Sequence, residues 1–241
     1  MQRTPLLIWP LLLALLLTGF MATTRKNAAE DDIVSYTVDP KKQDLQLYWK
    51  DDSGHVLASI QGLKDYLEQK GKKLVFAMNG GMFKTDYSPV GLFIQQHLLI
   101  TPLDTSDGNG NFYLKPNGVL YITGDNKAVI CPTHDFRYTG NIKFATQSGP
   151  MLLVEGAIHP AFKKGSANLN IRNGVGILPG NKLVFAMSKN PVSFYDFAEY
   201  FKNLGCRTAL YLDGFVSKTY LPEKHWVQTD GKFGVMIGVT K

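Results

Sequence analysis

The sequence is poor in the residues that build disulfide scaffolds and zinc centres. It has two cysteines, Cys131 and Cys206, and five histidines that stand apart from one another and from the cysteines. This excludes a disulfide-rich small fold and the paired Cys/His spacings of a structural zinc site, and we predict no metal and no cofactor. One disulfide remains an alternative in an oxidising compartment, but a small buried side chain is the commoner role for a cysteine such as Cys206.

Concentrated charge and familiar catalytic signatures are also missing. The 26 Lys and Arg residues exceed the 20 Asp and Glu residues, giving a net charge of +6, but the charges are scattered along the chain. Without a basic run interleaved with aromatic residues, the sequence argues against nucleic acid as a partner. It contains no G-x-S-x-G elbow, no P-loop and no H-E-x-x-H segment. The mild positive charge suits an anionic sugar or a phosphate better than a neutral ligand.

Long apolar runs are absent except near the N-terminus, where Arg3 precedes an almost wholly apolar stretch from Leu6 to Phe20. A cation followed by such a stretch predicts a secretory signal peptide over residues 1–22. Phe20 stands where a small residue is preferred before a cut, so an uncleaved membrane anchor is the alternative. We therefore expect an exported protein of the periplasm or cell envelope, associated with the membrane if this segment is retained.

The rest of the chain divides into a polar linker, residues 23–32, and one domain over residues 33–241. Apolar residues recur at helical spacing in 59–69 and 194–204, which predicts two main helices. The other apolar runs are short and separated by Gly, Asn and Asp, as is typical of strands. Strands are predicted at 33–38, 45–49, 89–94, 111–114, 118–122, 142–146, 151–154 and 174–177. This pattern predicts a single α+β domain with a β-rich mixed sheet.

Two of the apolar runs are nearly identical and are followed by polar residues. Leu-Val-Phe-Ala-Met occurs at 74–78 and again at 183–187, which suggests two related halves, although convergent strand composition explains the match equally well. Asn79-Gly80 follows the first run, and Asp213-Gly214 follows a later one. Polar groups at the carboxyl ends of strands often form active sites, but Asn-Gly and Asp-Gly are also ordinary turn pairs.

Four polar, glycine-containing segments follow one another along the chain. They are Asn79-Gly80-Gly81-Met82-Phe83, Ser148-Gly149, Arg172 with Gly176, and Leu212-Asp213-Gly214 with Ser217. In this order, with a helix before the last of them, they resemble the phosphodiester glycosidase family, and the chain looks like an exported bacterial branch of it. Met82 replaces an aromatic residue of the family pattern, and Phe215 and Val216 replace two glycines. These larger side chains also fit a non-catalytic saccharide-binding envelope protein with the same fold.

The resemblance implies a hydrolase that cleaves a sugar phosphodiester on its glycosidic side and releases a sugar and a phosphomonoester. Its implied partner is a phosphorylated saccharide, which we expect to come from the cell envelope or an exopolysaccharide. The implied catalytic residues are Asp213, Arg172 and Asn79, and the implied substrate-binding residues are Gly80, Gly81, Ser148, Gly149 and Ser217.

The residue types suit that chemistry, which needs a group that holds the phosphate and a carboxylate beside the anomeric carbon. Arg172 can bind a phosphate through two parallel hydrogen bonds. Asp213 would act as the nucleophile or as the base toward water. The alternatives are a surface arginine and a turn aspartate. The candidates for a second carboxylate are Asp86, Asp104 and Asp107.

Overall fold

The computed structural model describes residues 32–241, so the expected signal peptide or anchor and all but the last linker residue lie outside the described residues. The strands are β1 (Ile33–Val38), β2 (Asp44–Tyr48), β3 (Leu74–Asn79), β4 (Phe93–Gln95), β5 (Leu98–Thr101), β6 (Gly118–Thr123), β7 (Ala128–Pro132), β8 (Ile142–Ser148), β9 (Met151–Val154), β10 (Ala157–Ile158), β11 (Asn173–Leu178), β12 (Lys182–Ser188), β13 (Ala209–Tyr211), β14 (Thr219–Leu221), β15 (Trp226–Val227) and β16 (Met236–Thr240). The helices are α1 (Ile60–Gln69) and α2 (Phe194–Asn203). Neither helix of this described part is long and apolar enough to span a membrane.

The strands form three sheets. The strand orders are β1-β12-β11-β13-β9-β10, β15-β14-β3-β16-β2 and β5-β4-β8-β6-β7. Every ladder between the described strands is antiparallel, so three antiparallel sheets stand where the sequence suggested one mixed sheet. The α+β class, the single domain and the two main helices are confirmed.

Both helices begin at a serine that caps the first turn. Ser59 Oγ accepts a hydrogen bond from the amide of Gly62 at 3.0 Å, and Ser193 Oγ accepts one from the amide of Asp196 at 3.1 Å. Each bond satisfies an amide that has no partner within the helix. The apolar stripe of each helix is buried; its residues are Ile60, Leu63 and Leu67 in α1 and Phe194, Phe197, Ala198, Tyr200 and Phe201 in α2.

Two parts of the fold share one arrangement of strand, helix and strand. In the first, β2 leads through α1 to β3, and both strands flank the antiparallel strand β16. In the second, β12 leads through α2 to β13, and both flank the antiparallel strand β11. The Leu-Val-Phe-Ala-Met runs lie in β3 and β12, which follow and precede their helices respectively. The short repeat therefore reflects two buried strands in non-equivalent places, whereas β3 and β13 are the equivalent pair.

The two equivalent strands place their carboxyl ends beside each other. β3 ends at Asn79, and β13 is followed by Leu212 and Asp213. From Asp213 the chain turns through a 3-10 segment, Gly214–Val216, into β14, which pairs with β3. The chain thus passes from the first sheet to the second at Asp213.

The predicted strand at 111–114 is wrong, because Asn111–Tyr113 forms a 3-10 turn. Of the strand predicted at 89–94, only the last two residues belong to a strand, β4. The other predicted strands lie within one or two residues of β1, β2, β6, β8, β9 and β11. Turn 111–113 lies beside the site described below, where irregular backbone is needed to border a cavity.

Both cysteines are free thiols, so the alternative of a disulfide is wrong for this structure. Burial raises the pKa of Cys131 to about 11 and that of Cys206 to about 12. Cys206 packs tightly against β11: a Cβ added at Gly176 would lie 2.7 Å from its sulfur. This is the small buried side chain that the sequence favours.

We expect a reducing agent to leave the melting temperature of the protein unchanged, because no covalent link would be broken. Both thiols should also react slowly with iodoacetamide at neutral pH, since the thiolate is the reactive form. Thermal unfolding with and without dithiothreitol, and intact mass after alkylation, test this. A melting temperature that falls on reduction would contradict it.

Candidate functional site

Asn79 joins three segments of the chain through its side chain. Its Nδ2 donates to the carbonyl of Asp213 at 2.6 Å, and its Oδ1 accepts from the amide of Lys218 at 2.9 Å. Asn173 Nδ2 donates to both Oδ1 and the backbone carbonyl of Asn79, each at 3.0 Å. The side chain of Asn79 thus clamps both ends of the segment that carries Asp213, and it is fully buried. Its contacts favour positioning of Asp213 over contact with a sugar.

Asn79→Ala is expected to lower the free energy of unfolding by about 2–3 kcal/mol, because it leaves buried groups of Asp213 and Lys218 without partners. It should also lower kcat by about tenfold or more, since the Asp213 segment loses its position. Urea unfolding and initial rates measure the two effects. Asn109→Ala, at an exposed position, is the control and should change stability by less than about 0.5 kcal/mol. If Asn79→Ala and Asn109→Ala had the same free energy of unfolding and the same kcat, Asn79 would not position Asp213.

Arg172 lies immediately before β11 and is almost entirely buried, with 1% of its surface exposed. Its Nε donates to the carbonyl of Val192 at 2.8 Å, and one terminal nitrogen donates to the carbonyl of Asn168 at 2.9 Å. The guanidinium carbon lies 3.5 Å from the ring centroid of Phe194 and 5.8 Å from that of Tyr211. The alternative of a surface arginine is therefore wrong.

The positive charge of Arg172 is not neutralised by a carboxylate. No ion pair in residues 32–241 involves Arg172. Burial lowers its pKa from the usual value, while the Tyr211 hydroxyl raises it. Carbonyl oxygens and an aromatic face hold the cation in place without cancelling its charge. A buried guanidinium of this kind is suited to bind an anion that enters from outside.

A small cavity of about 80 Å³ opens beside the guanidinium. It is lined by Asn111, Asn168, Asn170, Arg172, Phe194, Tyr211 and Phe215. None of these residues is acidic. Amides and aromatic rings around one cation form a lining that suits a phosphate carrying a polar, ring-shaped group.

Asp213 is not itself among the residues that line the cavity, but it lies between Tyr211 and Phe215 in the chain, and both of these line it. Its amide donates to the carbonyl of Gly80 at 3.1 Å, so its backbone is fixed from both sides by the Asn79-Gly80 segment. Burial raises the pKa of its carboxyl to about 6, and a hydrogen bond from the amide of Phe215 opposes this rise. A carboxylate that is partly buried, raised in pKa and not paired with a cation is typical of a catalytic group.

The two glycines after Asn79 serve packing. Gly80 donates its amide to the carbonyl of Val235 at 2.8 Å, so that amide is already used within the protein. A Cβ added at Gly81 would lie 2.7 Å from the carbonyl of Gln147 in β8. A Cβ added at Gly80 would lie 2.9 Å from Cγ1 of Val235. Close packing at both positions therefore accounts for the Gly-Gly pair without a ligand.

The remaining predicted substrate-binding residues lie around the same region. Ser148, at the end of β8, is fully buried, and its hydroxyl has no hydrogen-bond partner among the described residues. A Cβ added at Gly149 would lie 3.2 Å from the carbonyl of Asn111, a residue of the cavity wall. Ser217 donates its hydroxyl to the carbonyl of Gly214 at 2.9 Å and closes the turn after Asp213.

The three candidates for a second carboxylate do not line this cavity. Asp86 accepts hydrogen bonds from the amide and hydroxyl of Ser88, and Asp104 accepts the same pair from Ser106. These bonds lower the pKa of both carboxyls. Asp107 is almost fully exposed and pairs with Lys115. All three have local partners of their own.

Hydrogen bonds link Asn79 and the Asp213 segment to Asn173, and Arg172 directly precedes Asn173 in the chain. The carbonyl of Asn173 accepts the amide of Leu212 at 3.1 Å, its side chain binds Asn79, and Arg172 precedes it. Sequence reasoning missed Asn173, as well as Tyr211, Phe194 and Asn168 around the guanidinium. A polar residue directly after the arginine was the available signal for Asn173.

The family of the chain is shown by comparison with known proteins. The phosphodiester glycosidase family matches residues 72–239 of the chain. A relative from Escherichia coli (strain K12), the "Uncharacterized protein YigE", is 36% identical over 214 residues, which are 87% of this chain and 84% of the relative. The chain therefore belongs to the phosphodiester glycosidase family.

Solved structures with low sequence identity share the fold. The zebrafish N-acetylglucosamine-1-phosphodiester alpha-N-acetylglucosaminidase catalytic domain, auto-inhibited by its pro-peptide, superposes with a TM-score of 0.60 at 15% identity, covering 86% of this chain and 83% of that one. A putative exported protein from Burkholderia pseudomallei superposes with a TM-score of 0.56 at 12% identity, covering 86% and 73%. These likenesses support the fold alone.

Proposed function

We propose that the protein is an exported hydrolase that cleaves the glycosidic side of a sugar phosphodiester in cell-envelope or exopolysaccharide material. The observation that carries this proposal is the buried Arg172 guanidinium, which has no carboxylate partner in the described chain and faces a cavity. Family membership supports the reaction class. The apolar stretch before the domain supports export and a place in the periplasm or envelope.

In this mechanism Arg172 holds the phosphate, which carries one negative charge in a diester. The bond between the anomeric carbon and the phosphate oxygen breaks, and the phosphomonoester leaves with the bonding electrons. Asp213 either attacks the anomeric carbon or takes a proton from the water that does so. The water oxygen ends on the sugar. Because the leaving phosphate is already an anion that Arg172 stabilises, protonation of the leaving group matters less than in an ordinary glycoside.

Three matched substrates test the proposal. They are a hexose 1-(nitrophenyl phosphate), whose cleavage releases nitrophenyl phosphate that an added phosphatase converts to nitrophenol, the corresponding nitrophenyl hexoside, and bis(nitrophenyl) phosphate, which has no sugar. We expect turnover of the first alone, across a panel of hexoses, because only it offers both the phosphate and the anomeric carbon. Turnover of the nitrophenyl hexoside in preference to the diester would contradict the proposal.

A second candidate function is non-catalytic binding of a phosphorylated saccharide, and Phe215 is the observation that favours it. Its side chain is 94% exposed and lines the cavity, where an aromatic face could hold a sugar ring. If the protein only binds, Phe215→Ala should weaken binding of a hexose 1-phosphate by about tenfold, and wild type should show no turnover. Turnover by wild type excludes this second function.

A further inference from the structure

A second cavity adjoins the first and shares part of its lining. Its volume is about 220 Å³. Its lining includes Asn111, Phe162, Lys163, Ser166, Asn168 and Phe194. The two cavities share Asn111, Asn168 and Phe194, and these residues separate the guanidinium from the larger space.

The order of groups along the two cavities fixes which end of a substrate each would hold. Tyr211 and Phe215 line only the smaller cavity and flank Asp213 in the chain. A phosphate on Arg172 would have its sugar on that side, because Asp213 must reach the anomeric carbon. The alcohol on the other side of the phosphate then extends past Asn168 and Phe194 into the larger cavity.

The residues that line the two cavities carry more positive charge than a simple phosphodiester would neutralise. Neither cavity has an acidic residue in its lining, and together they hold two cations, Arg172 and Lys163. No ion pair in the described chain involves Lys163, which is solvent-exposed. One phosphodiester supplies a single negative charge, which Arg172 takes. A second anionic group, on the alcohol, could form an ion pair with Lys163.

A rigid wall supports this second space. Phe162 stacks on Phe194 with ring centroids 4.7 Å apart and planes 7° from parallel, and His159 stacks on Phe162 at 4.7 Å. Since the Arg172 guanidinium also lies over Phe194, one stack of rings runs from the phosphate-binding cation to the segment that carries Lys163. The stack thus holds Phe162, the residue before Lys163, on the same wall as the Arg172 guanidinium.

We propose that the 220 Å³ cavity is the subsite for the leaving alcohol, and that it selects a polyhydroxy alcohol bearing its own carboxylate or phosphate through Lys163. This rests on the proposed function, because it takes Arg172 as the phosphate holder. The amides of Asn111 and Asn168 and the hydroxyl of Ser166 would bind the hydroxyl groups of the alcohol. A bare alkyl chain would leave these polar groups without partners.

Binding of two non-hydrolysable ligands tests the subsite without requiring turnover. Both are phosphonate analogues of a hexose 1-phosphodiester; one carries a hexose as the leaving alcohol and the other carries the matching hexuronate. By calorimetry at low salt, wild type should bind the hexuronate ligand about fivefold more tightly, the size expected for an exposed ion pair. The preference should shrink as salt is added.

Variants assign the preference to one residue. Lys163→Gln should bring the ratio of the two affinities to about one, and Lys163→Glu should reverse it. Lys182→Gln, at an exposed lysine that begins β12, is the matched control and should keep the wild-type ratio. Equal binding of both ligands by wild type, or a ratio that survives Lys163→Gln, overturns this proposal and leaves the proposed function standing. Binding of neither ligand overturns both.

Discussion

Asp213→Asn is expected to lower kcat at neutral pH by about a thousandfold or more while leaving KM close to that of wild type. Asparagine has nearly the same size and can still accept the hydrogen bond from the amide of Phe215, but it cannot act as a nucleophile or a base. Initial rates with the nitrophenyl hexose phosphodiester measure the effect. Asp230→Asn, at an exposed carboxylate, is the matched control and should keep wild-type rates.

The pH dependence of wild type follows from the same carboxyl. Because Asp213 must be ionised and burial raises its pKa to about 6, kcat/KM should fall tenfold for each pH unit below about 6. A carboxyl with an ordinary pKa would keep the rate constant down to about pH 4. Retention of most activity by Asp213→Asn would contradict the role assigned to this carboxylate.

The same substitution should make the protein more stable at neutral pH. The pKa of Asp213 is higher in the folded chain than in the unfolded chain, where it is about 3.9, so folding disfavours its ionised form. This penalty is fully present above pH 6 and disappears as the pH falls toward 4. Asp213→Asn should therefore gain of the order of 2 kcal/mol at neutral pH and nothing near pH 4. Urea unfolding at the two pH values measures this difference.

Arg172→Lys is expected to weaken binding of the phosphodiester by about ten- to a hundredfold, seen mainly as a higher KM, although it keeps a positive charge. Lysine cannot bond the carbonyls of Val192 and Asn168 and present two parallel donors to a phosphate while stacking on Phe194. Arg172→Ala should bind more weakly still and lower kcat as well, because the charge that stabilises the leaving phosphate is gone.

Arg207→Lys is the control for this series, since Arg207 is an exposed arginine outside the cavity linings. It should keep the wild-type KM. Melting temperatures of all three variants separate loss of binding from loss of folding. A wild-type KM in Arg172→Lys would show that the phosphate lies elsewhere.

The sequence predicted those parts of the fold that depend on local pattern. Apolar residues at helical spacing located both helices, and short apolar runs separated by Gly, Asn and Asp located β1, β2, β6, β8, β9 and β11. The sheet arrangement was not predictable in this way, because pairing of β3 with β14 and β16 joins residues far apart in the chain. Five identical apolar residues in β3 and β12 carry no information about which strands are equivalent.

Some residues of the candidate site could likewise be predicted from the sequence, and others could not. Asp213 and Asn79 stand out in sequence because each follows an apolar run and precedes a glycine, whereas Arg172 was indicated by the resemblance to the family pattern. Phe194 could not be recognised in the sequence as a residue of the site, because its position in the apolar stripe of α2 already explains it. Only the fold places its ring against the Arg172 guanidinium. The role of Asn79 could not be inferred either, because both of its side-chain atoms bond backbone groups of a segment more than a hundred residues away.

Hydrolysis in oxygen-18 water tests the central claim most directly. The hexose 1-phosphodiester is hydrolysed to completion, and mass spectrometry then locates the label in the sugar or in the phosphomonoester. If Asp213 directs attack on the anomeric carbon and Arg172 holds the leaving phosphate, the phosphomonoester must carry no label, and this product decides the result because the anomeric oxygen of a free sugar also exchanges with water. Label in the phosphomonoester would show that attack occurs at phosphorus, and it would contradict the roles assigned to both residues.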